Sequence, residues 1–444
     1  MAVSVVVGAS VQAQEVEAPN LNEAEAEITP TAERPWRANC QATYVWQDKP
    51  AFHATYTGPY SLLPTKETGY TLTSTLFLGL RPWAGTELFF NPETIQSAQL
   101  SDLRGLGGMS NGENQKGGGP TVTAYVARLF LRQTIGLGGD SVSVAGGANQ
   151  FVSQQHRRRL VLTAGKIALI DVFDNNTFAH DPRVQFANWS LMTYGAFDFA
   201  ADARGYTWGL AAEYYYDDWV FRIGRFAQPK ESNGLPLDFN VLAHYGDNLE
   251  IEHDHSLWGH AGKVRLLGFR NVAHMGNFRD ALHMWQPFDG PPDVAAVRIT
   301  QAKVGFGFSA EQEITPNVGA FVRGSWNDGQ TETYAFTEVE CSLTAGVAVK
   351  GTPWIRPGDT FGFAVVQNEL SQAHIDYLAA GGHGFFIGDG RISYRPERIA
   401  EAYYSMRGFD VVHFSLDGQY IVNPAYNAAR GPVVIFGGRV HLEY

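Results

Sequence analysis

Four places in this sequence carry residue types whose spacing could do chemistry. Gly108-Met109-Ser110-Asn111-Gly112 matches the G-x-S-x-G pattern of a serine nucleophile held on a sharp turn. That chemistry needs a strand before the serine, a helix after it, and a histidine and an acid alongside. Gly105, Gly107 and Gly117 to Gly119 surround the motif, so it reads as a flexible surface loop and no catalysis is expected. His253-Asp254-His255, with His260 nearby, offers imidazoles to a metal. His253 and His255 share one face of a strand, but no third ligand follows at a metal-binding spacing. A polar strand end is expected there, with no metal and no cofactor. His156-Arg157-Arg158-Arg159 reads as a solvated basic turn. Arg128, Phe130 and Arg132 alternate along one segment. Each guanidinium is a planar fork of five donors, which suits a partner rich in acceptors.

The elements that must position these residues have a period of two. In 302–313, Ala302, Val304, Phe306, Phe308 and Ala310 share one face, and Lys303, Ser309, Glu311 and Glu313 share the other. In 70–80, Leu72, Leu76, Leu78 and Leu80 oppose Thr71, Thr73 and Thr75. Tyr206, Trp208, Leu210, Ala212 and Tyr214 form another apolar set, as do Val412, Phe414, Leu416, Tyr420 and Val422. The chain of 444 residues has 44% hydrophobic residues, 13% aromatics and 48 Gly, which excludes disorder and suits repeated strand and turn. Its net charge of -12 argues against nucleic acid as a partner. No run of 18 apolar residues occurs, so no helical membrane span is expected. Two Cys make no disulfide scaffold.

Three features separate a membrane barrel from a soluble sandwich. Short turns at 81–84, 217–218, 259–262, 315–317 and 408–410 alternate with long loops at 48–69, 95–120, 171–204, 229–247, 271–300 and 369–397. Aromatics flank the strand ends: Tyr44, Trp46, Trp83, Phe89, Phe90, Tyr214, Trp219 and Trp326. The last strand runs to the terminus, with Phe436, Val440, Leu442 and Tyr444 alternating with Gly437, Arg439, His441 and Glu443. The expected fold is all-β, a transmembrane antiparallel barrel of roughly 16 strands around a water-filled lumen. Lipid cannot satisfy an open sheet edge, so the sheet must close.

Parity then places side chains. Tyr125, Ala127, Leu129 and Leu131 suit lipid, which directs Arg128, Phe130 and Arg132 inward. Phe321, Arg323, Ser325 and Asn327 are inward by the same argument. Cys40 and Cys341 point outward on strands that are not neighbours, so no disulfide is expected. The loop 171–204 is too long for a plain connection and too aromatic for disorder, with Phe173, Phe178, Phe186, Trp189, Tyr194 and Phe197. It is expected to fold into the lumen as a constriction. Residues 1–13 look like the end of a secretory signal peptide without its usual basic opening. Residues 14–38 form an acidic periplasmic extension, six Glu against Arg34 up to residue 35, and the barrel occupies 39–444.

Several longer motifs resemble the carbohydrate-selective, OprB-type porins. They are Phe173 to Arg183 followed by Gln185-Phe186-Ala187-Asn188-Trp189, then Ala201 to Gly209, Arg222 to Phe226 running into Pro229 to Gly234, and Asn423 to Asn427 with Arg430-Gly431-Pro432. The resemblance covers about residues 40–444. It implies a 16-stranded outer-membrane channel for monosaccharides such as glucose, with no enzymatic activity and no cofactor. The partners it implies are outer-membrane lipid and lipopolysaccharide and a neutral sugar as cargo; the chain would be a monomer or a homotrimer. A general or other-solute porin on the same barrel is the alternative, and an outer-membrane barrel enzyme is a remoter one. A sugar must exchange water hydrogen bonds for protein ones, so arginine forks, carboxylates and aromatic faces are the residues to look for. The expected constriction set is Arg128, Phe130, Arg132, Asp171, Asp174, Asp181, Arg183, Trp189, Arg204 and Arg323, with Lys230, Glu231 and Asn233 as entrance contacts or loop anchors.

Overall fold

The computed structural model describes residues 35–444, apart from Asp289 and Asp410. The apolar N-terminal stretch and most of the acidic extension lie outside the described residues. The strands are β1 (Trp36–Lys49), β2 (Glu67–Leu80), β3 (Thr86–Ala98), β4 (Thr123–Val144), β5 (Ser153–Ile167), β6 (Thr207–Tyr216), β7 (Trp219–Pro229), β8 (Leu237–Asp238), β9 (Tyr245–Leu257), β10 (His260–Met275), β11 (Ile299–Thr315), β12 (Val318–Asn327), β13 (Cys341–Lys350), β14 (Thr360–Glu369), β15 (Glu397–Phe409), β16 (Val412–Val422) and β17 (Val433–Glu443). β8 is a two-residue rung on the end of β7. The other sixteen pair antiparallel, each with its neighbour in sequence, and β1 pairs with β17 to close the barrel. The seam is stitched to the last residue, where Tyr444 and Cys40 exchange backbone hydrogen bonds of 2.8 and 2.9 Å. β1 starts at Trp36, three residues before the boundary expected from sequence.

The alternation seen in sequence is the inside and outside of this wall. Leu72, Leu76, Leu78 and Leu80 are exposed outward, while Thr71, Thr73 and Thr75 are buried inward. Cys40 lies on the outer face of β1 and Cys341 on that of β13, strands that are not neighbours, and both are free thiols. Turns at 81–85, 217–218, 258–259 and 316–317 lie at one rim, with both ends of the described chain. The long loops lie at the other, and the long-loop rim is the extracellular one.

Three expectations are corrected. Asn91 pairs with Arg128 but Pro92 pairs with Val126, so Ala127 is a bulge. The bulge reverses parity, and Tyr125 faces the lumen, where its hydroxyl donates to Glu93 and its ring packs on Tyr206 at 6.2 Å. Ala127 is buried too, not lipid-facing. Tyr206 precedes β6 and turns inward, leaving only Trp208 to Tyr214 of its set on the outside. Phe89 is not part of an interfacial girdle: it is fully buried on the inner wall against Phe130 and Phe151, with ring centroids at 5.2 and 5.7 Å.

The β4–β5 hairpin outruns its neighbours. β3 pairs with β4 only to Gln133, and β6 pairs with β5 only from Arg159. Beyond that the hairpin bends through two register shifts at Gly136, Gly138 and Ser141, with Gly138 and Gly139 at φ 100° and 82°, where a side chain would be strained. Its tip curls into the short-turn mouth. Phe151 buries there, and Arg37 donates to the Gln150 carbonyl.

Candidate functional site

The loop 168–206 crosses the lumen and is welded to the inner wall by charged side chains on five strands and an asparagine on a sixth. Glu250 of β9 accepts the Asp174 N–H at 2.8 Å. Glu311 of β11 accepts the Thr177 N–H and hydroxyl at 3.0 and 2.7 Å. Glu401 of β15 accepts the N–H groups of Ala187 and Asn188. Lys303 of β11 reaches Asp198 at 2.8 Å, and Asn271 of β10 donates to the Asp198 carbonyl at 2.5 Å. Arg323 of β12 donates to Asp174, to the Leu191 carbonyl and to the Ala179 carbonyl at 3.1, 2.8 and 2.6 Å. Arg439 of β17 donates to the Pro182 carbonyl at 2.6 Å. A loop buried in a barrel exposes backbone groups that need partners, and these side chains supply them. The constriction loop therefore folds inward as expected from sequence.

A second loop joins it. The segment around Ser110 is buried inside the barrel, not a flexible surface loop. Its Gly107 and Gly108 N–H groups donate to Glu397 at 3.0 and 2.8 Å. Ser110 donates to Gln47 at 3.2 Å, and Trp189 Nε1 donates to the Asn111 carbonyl at 2.8 Å. Ser110 thus serves loop packing, and among the described residues no histidine is hydrogen-bonded to it. A third segment, 328–340, hangs from Asp198, whose carboxylate accepts the N–H groups of Tyr334, Ala335 and Phe336 at 2.8, 2.8 and 3.0 Å. Burial pushes the Asp198 carboxyl up, but Lys303 and these N–H groups outweigh it and hold it below the usual carboxylate range.

Between these loops and the wall of β2 to β4 lies a cavity of about 280 Å³, at the small end of ligand-pocket sizes. Arg128 and Asp171 face it as a two-pronged pair, Nε to Oδ2 at 2.7 Å and Nη2 to Oδ1 at 2.6 Å. Burial tends to raise the Asp171 carboxyl, yet Arg128 holds it below the ordinary range. Opposite, Arg183 Nε lies 3.2 Å from Glu113 and Nη1 3.4 Å from Asp181. Arg204 sits over the Tyr125 ring at 4.6 Å. Trp189 stacks on Phe336 with centroids 5.3 Å apart and planes 1° from parallel. Lys116 donates to Asn233 at 2.5 Å and to the Ala335 carbonyl. Its burial outweighs the pull of Asp198, Glu338 and Asp202 and brings the ammonium down to about 7.

Of the residues expected at the constriction, Arg128, Asp171, Asp181, Arg183, Trp189 and Arg204 meet around this cavity. The others sit elsewhere. Phe130 is buried in the Phe89–Phe151 cluster, and Arg132 bonds Glu87 at 3.2 Å and the Asn149 carbonyl at 2.9 Å in the short-turn mouth. Asp174 and Arg323 are fully buried loop pins. Lys230 and Glu231 are exposed at the long-loop rim, whereas Asn233 is buried and reaches the cavity through Lys116. Sequence reasoning missed Glu93, Glu113, Lys116, Tyr125, Tyr206 and Phe336, which also line or border the cavity. Pro92 was the available signal for Tyr125 and Glu93, because proline inside a sheet marks an edge or a bulge and a closed barrel has no edge. The histidines at 253 and 255 behave as a polar strand end: His253 stacks on Trp219 at 4.3 Å and His255 meets Gln312 at 3.1 Å. Arg157 and Arg158 pair with Asp218 and Asp217 at the short-turn rim.

A closed sixteen-stranded barrel with an apolar outer face and charged loops narrowing its lumen is a channel of the outer-membrane porin class. The profile of the carbohydrate-selective porin family, OprB, matches residues 78–444, and the chain belongs to that family. The high-pH structure of Pseudomonas putida OprB superimposes with a TM-score of 0.69 at 16% identity, covering 92% of this chain and 94% of that one. The low-pH structure of the same protein gives 0.49 at 12% identity, covering 92% and 93%. Pseudomonas aeruginosa OccK8 (OprE) gives 0.46 at 9% identity, covering 92% and 98%. A search of curated protein sequences returns no match. The chain is thus an integral outer-membrane β-barrel, with the fold and family of channels and not of enzymes.

Proposed function

We propose that this barrel passes monosaccharides such as glucose into the periplasm by selective, passive diffusion through the cavity beside Arg128. The observation that carries this reading is the make-up of that cavity. Four cations, Lys116, Arg128, Arg183 and Arg204, share about 280 Å³ with five carboxylates, Glu93, Glu113, Asp171, Asp181 and Asp202. Charges of both signs in near balance give neither cations nor anions a decided advantage. They offer a neutral solute donors and acceptors in quantity. A pyranose shedding water there meets guanidinium forks for its hydroxyl oxygens and carboxylates for its hydroxyl protons, so dehydration costs little net free energy. Trp189 and Phe336, stacked on each other, line the cavity and give its C–H side a small apolar patch. Passage requires release, so binding must stay weak.

The competing reading is a general or other-solute porin on the same barrel. Liposome swelling with glucose, other monosaccharides, amino acids and sugar acids of similar size separates the two. Faster swelling with neutral sugars supports the proposal. Equal rates for all solutes, or a preference for the acids, contradict it.

A further inference from the structure

The outer wall is largely apolar, as lipid demands, yet a row of charge crosses it on β7, β9 and β10. β-Ladder register aligns Arg225 of β7, Asp247 of β9 and Arg270 of β10 side by side, between Leu210 of β6 and Val304 of β11. All three charged side chains are on the outer face. Arg225 grips Asp247 with two hydrogen bonds, Nε to Oδ1 at 2.7 Å and Nη2 to Oδ2 at 2.6 Å, and lies over the Tyr245 ring at 3.9 Å. Arg270 is exposed and, among the described residues, has neither an ion pair nor a hydrogen-bond partner. The row therefore carries one positive charge in excess.

Its height in the wall decides what that charge meets. On the same strands, one step toward the short-turn rim, the outward residues are Ile223 and Leu249, among the most exposed apolar side chains of the wall. The row lies on the other side of them, close to the long loops, at the level where the outward Trp208 and Trp326 mark the interface. The long-loop rim is extracellular, so the row sits among the headgroups of the outer leaflet. The loop after β7 comes down beside it: the Val241 carbonyl lies 3.5 Å from Arg225 Nη1. That loop leaves Phe239 and Leu242 66% and 84% exposed. An unpaired guanidinium at headgroup depth, in a row whose Arg225 end meets a loop with bare apolar side chains, fits an anionic amphiphile.

We propose that Arg270, with the Arg225–Asp247 pair, binds a phosphate of lipopolysaccharide, and that Phe239 and Leu242 pack against the same lipid. Arg270 supplies two parallel donors to phosphate oxygens, the geometry that favours arginine over lysine. Asp247 lies between the two arginines in the register and spends both carboxylate oxygens on Arg225, which leaves Arg270 to meet the phosphate.

The test is native mass spectrometry of the full barrel in detergent, titrated with deep-rough lipopolysaccharide carrying both lipid A phosphates and with the same lipid dephosphorylated. The wild type is expected to retain the phosphorylated lipid and not the dephosphorylated one. Arg270→Ala is expected to weaken retention roughly ten-fold, which is about 1.4 kcal/mol. Arg270 has no partner within the described protein, so the variant should still fold; Arg270→Gln, a polar replacement, is measured beside it. Equal retention by wild type and both variants, or equal retention of the dephosphorylated lipid, overturns the proposal. So does a change in subunit stoichiometry with lipid retention untouched, which assigns the row to a contact between proteins.

Discussion

Replacing Arg128 with Ala separates the groups that meet the solute from the groups that hold the loop. The Arg128–Asp171 pair faces the cavity, with the two side chains 14% and 30% exposed. Removing one partner of a charge-assisted pair costs about 1.5–3 kcal/mol where the other is stranded. Asp171 is not stranded: it keeps the Ala168 N–H at 3.1 Å and faces the solvated cavity. A loss near the bottom of that range, roughly 1–2 kcal/mol, is therefore expected, and the loop 168–206 stays pinned by Glu250, Glu311, Glu401 and Arg439. Arg323→Ala is the contrasting case. It empties three hydrogen bonds and leaves Asp174 fully buried without its cation, which costs about 3–5 kcal/mol. Unfolding in urea and the gel shift between heated and unheated samples give the stability. Single-channel conductance and sugar-dependent liposome swelling give the function. Arg128→Ala is expected to insert, conduct more, favour cations through the freed Asp171, and discriminate less among sugars. Arg128→Lys keeps the charge but not the fork, and should recover the ionic current pattern with only part of the sugar discrimination. A folded Arg128→Ala barrel with wild-type conductance and wild-type sugar preference refutes the reasoning.

Other outcomes follow from the same geometry. Arg132→Ala should leave sugar preference intact while making the hairpin tip around Asn149 more open to protease, since Arg132 holds that tip and lies away from the cavity. Lys116 is depressed from an ordinary 10.5 to about 7. The unfolded chain therefore binds more protons between those values, and this group makes the fold more stable as pH rises through that window. Ionic selectivity should accordingly turn more toward cations as pH rises through about 7, where Lys116 loses its charge, and Lys116→Met should abolish that change; a pH profile identical in the variant contradicts the assignment. Cys40 and Cys341 should remain reduced in one chain, so the intact mass should not rise by two protons on treatment with a reductant; such a rise would contradict the register of β1 and β13.

Much of the wall was legible in the sequence because lipid and water divide it at a strict period of two. β11 shows this, with Val304, Phe306 and Phe308 outward and Lys303, Ser309 and Glu311 inward. The alternation of short turns with long loops likewise gave sixteen strands. Period two fails where one residue is inserted. Ala127 reverses the strand locally, and Tyr125, assigned to lipid by counting, faces Glu93 in the lumen. Pro92 on the partner strand was the local sign of that bulge. The loops were harder, because a segment's own composition does not say what waits across the lumen. The glycines around Ser110 look like a flexible surface, but Glu397, far along the chain, accepts their N–H groups and makes them interior. Arginines on an inner face are equally ambiguous: Arg128 meets the cavity, Arg323 ties the loop, and Arg132 braces a hairpin tip. Parity says only that each points inward.

On the proposed reading, a neutral sugar lodges briefly in the cavity beside Arg128 on its way through. Single-channel recording of the reconstituted barrel, with glucose titrated from micromolar to molar, tests it most directly. Short, reversible interruptions of the ionic current are expected, saturating around millimolar or weaker, about -4 kcal/mol, and shortening in Arg128→Ala. A current indifferent to glucose at every concentration, or saturation at nanomolar sugar, would contradict it.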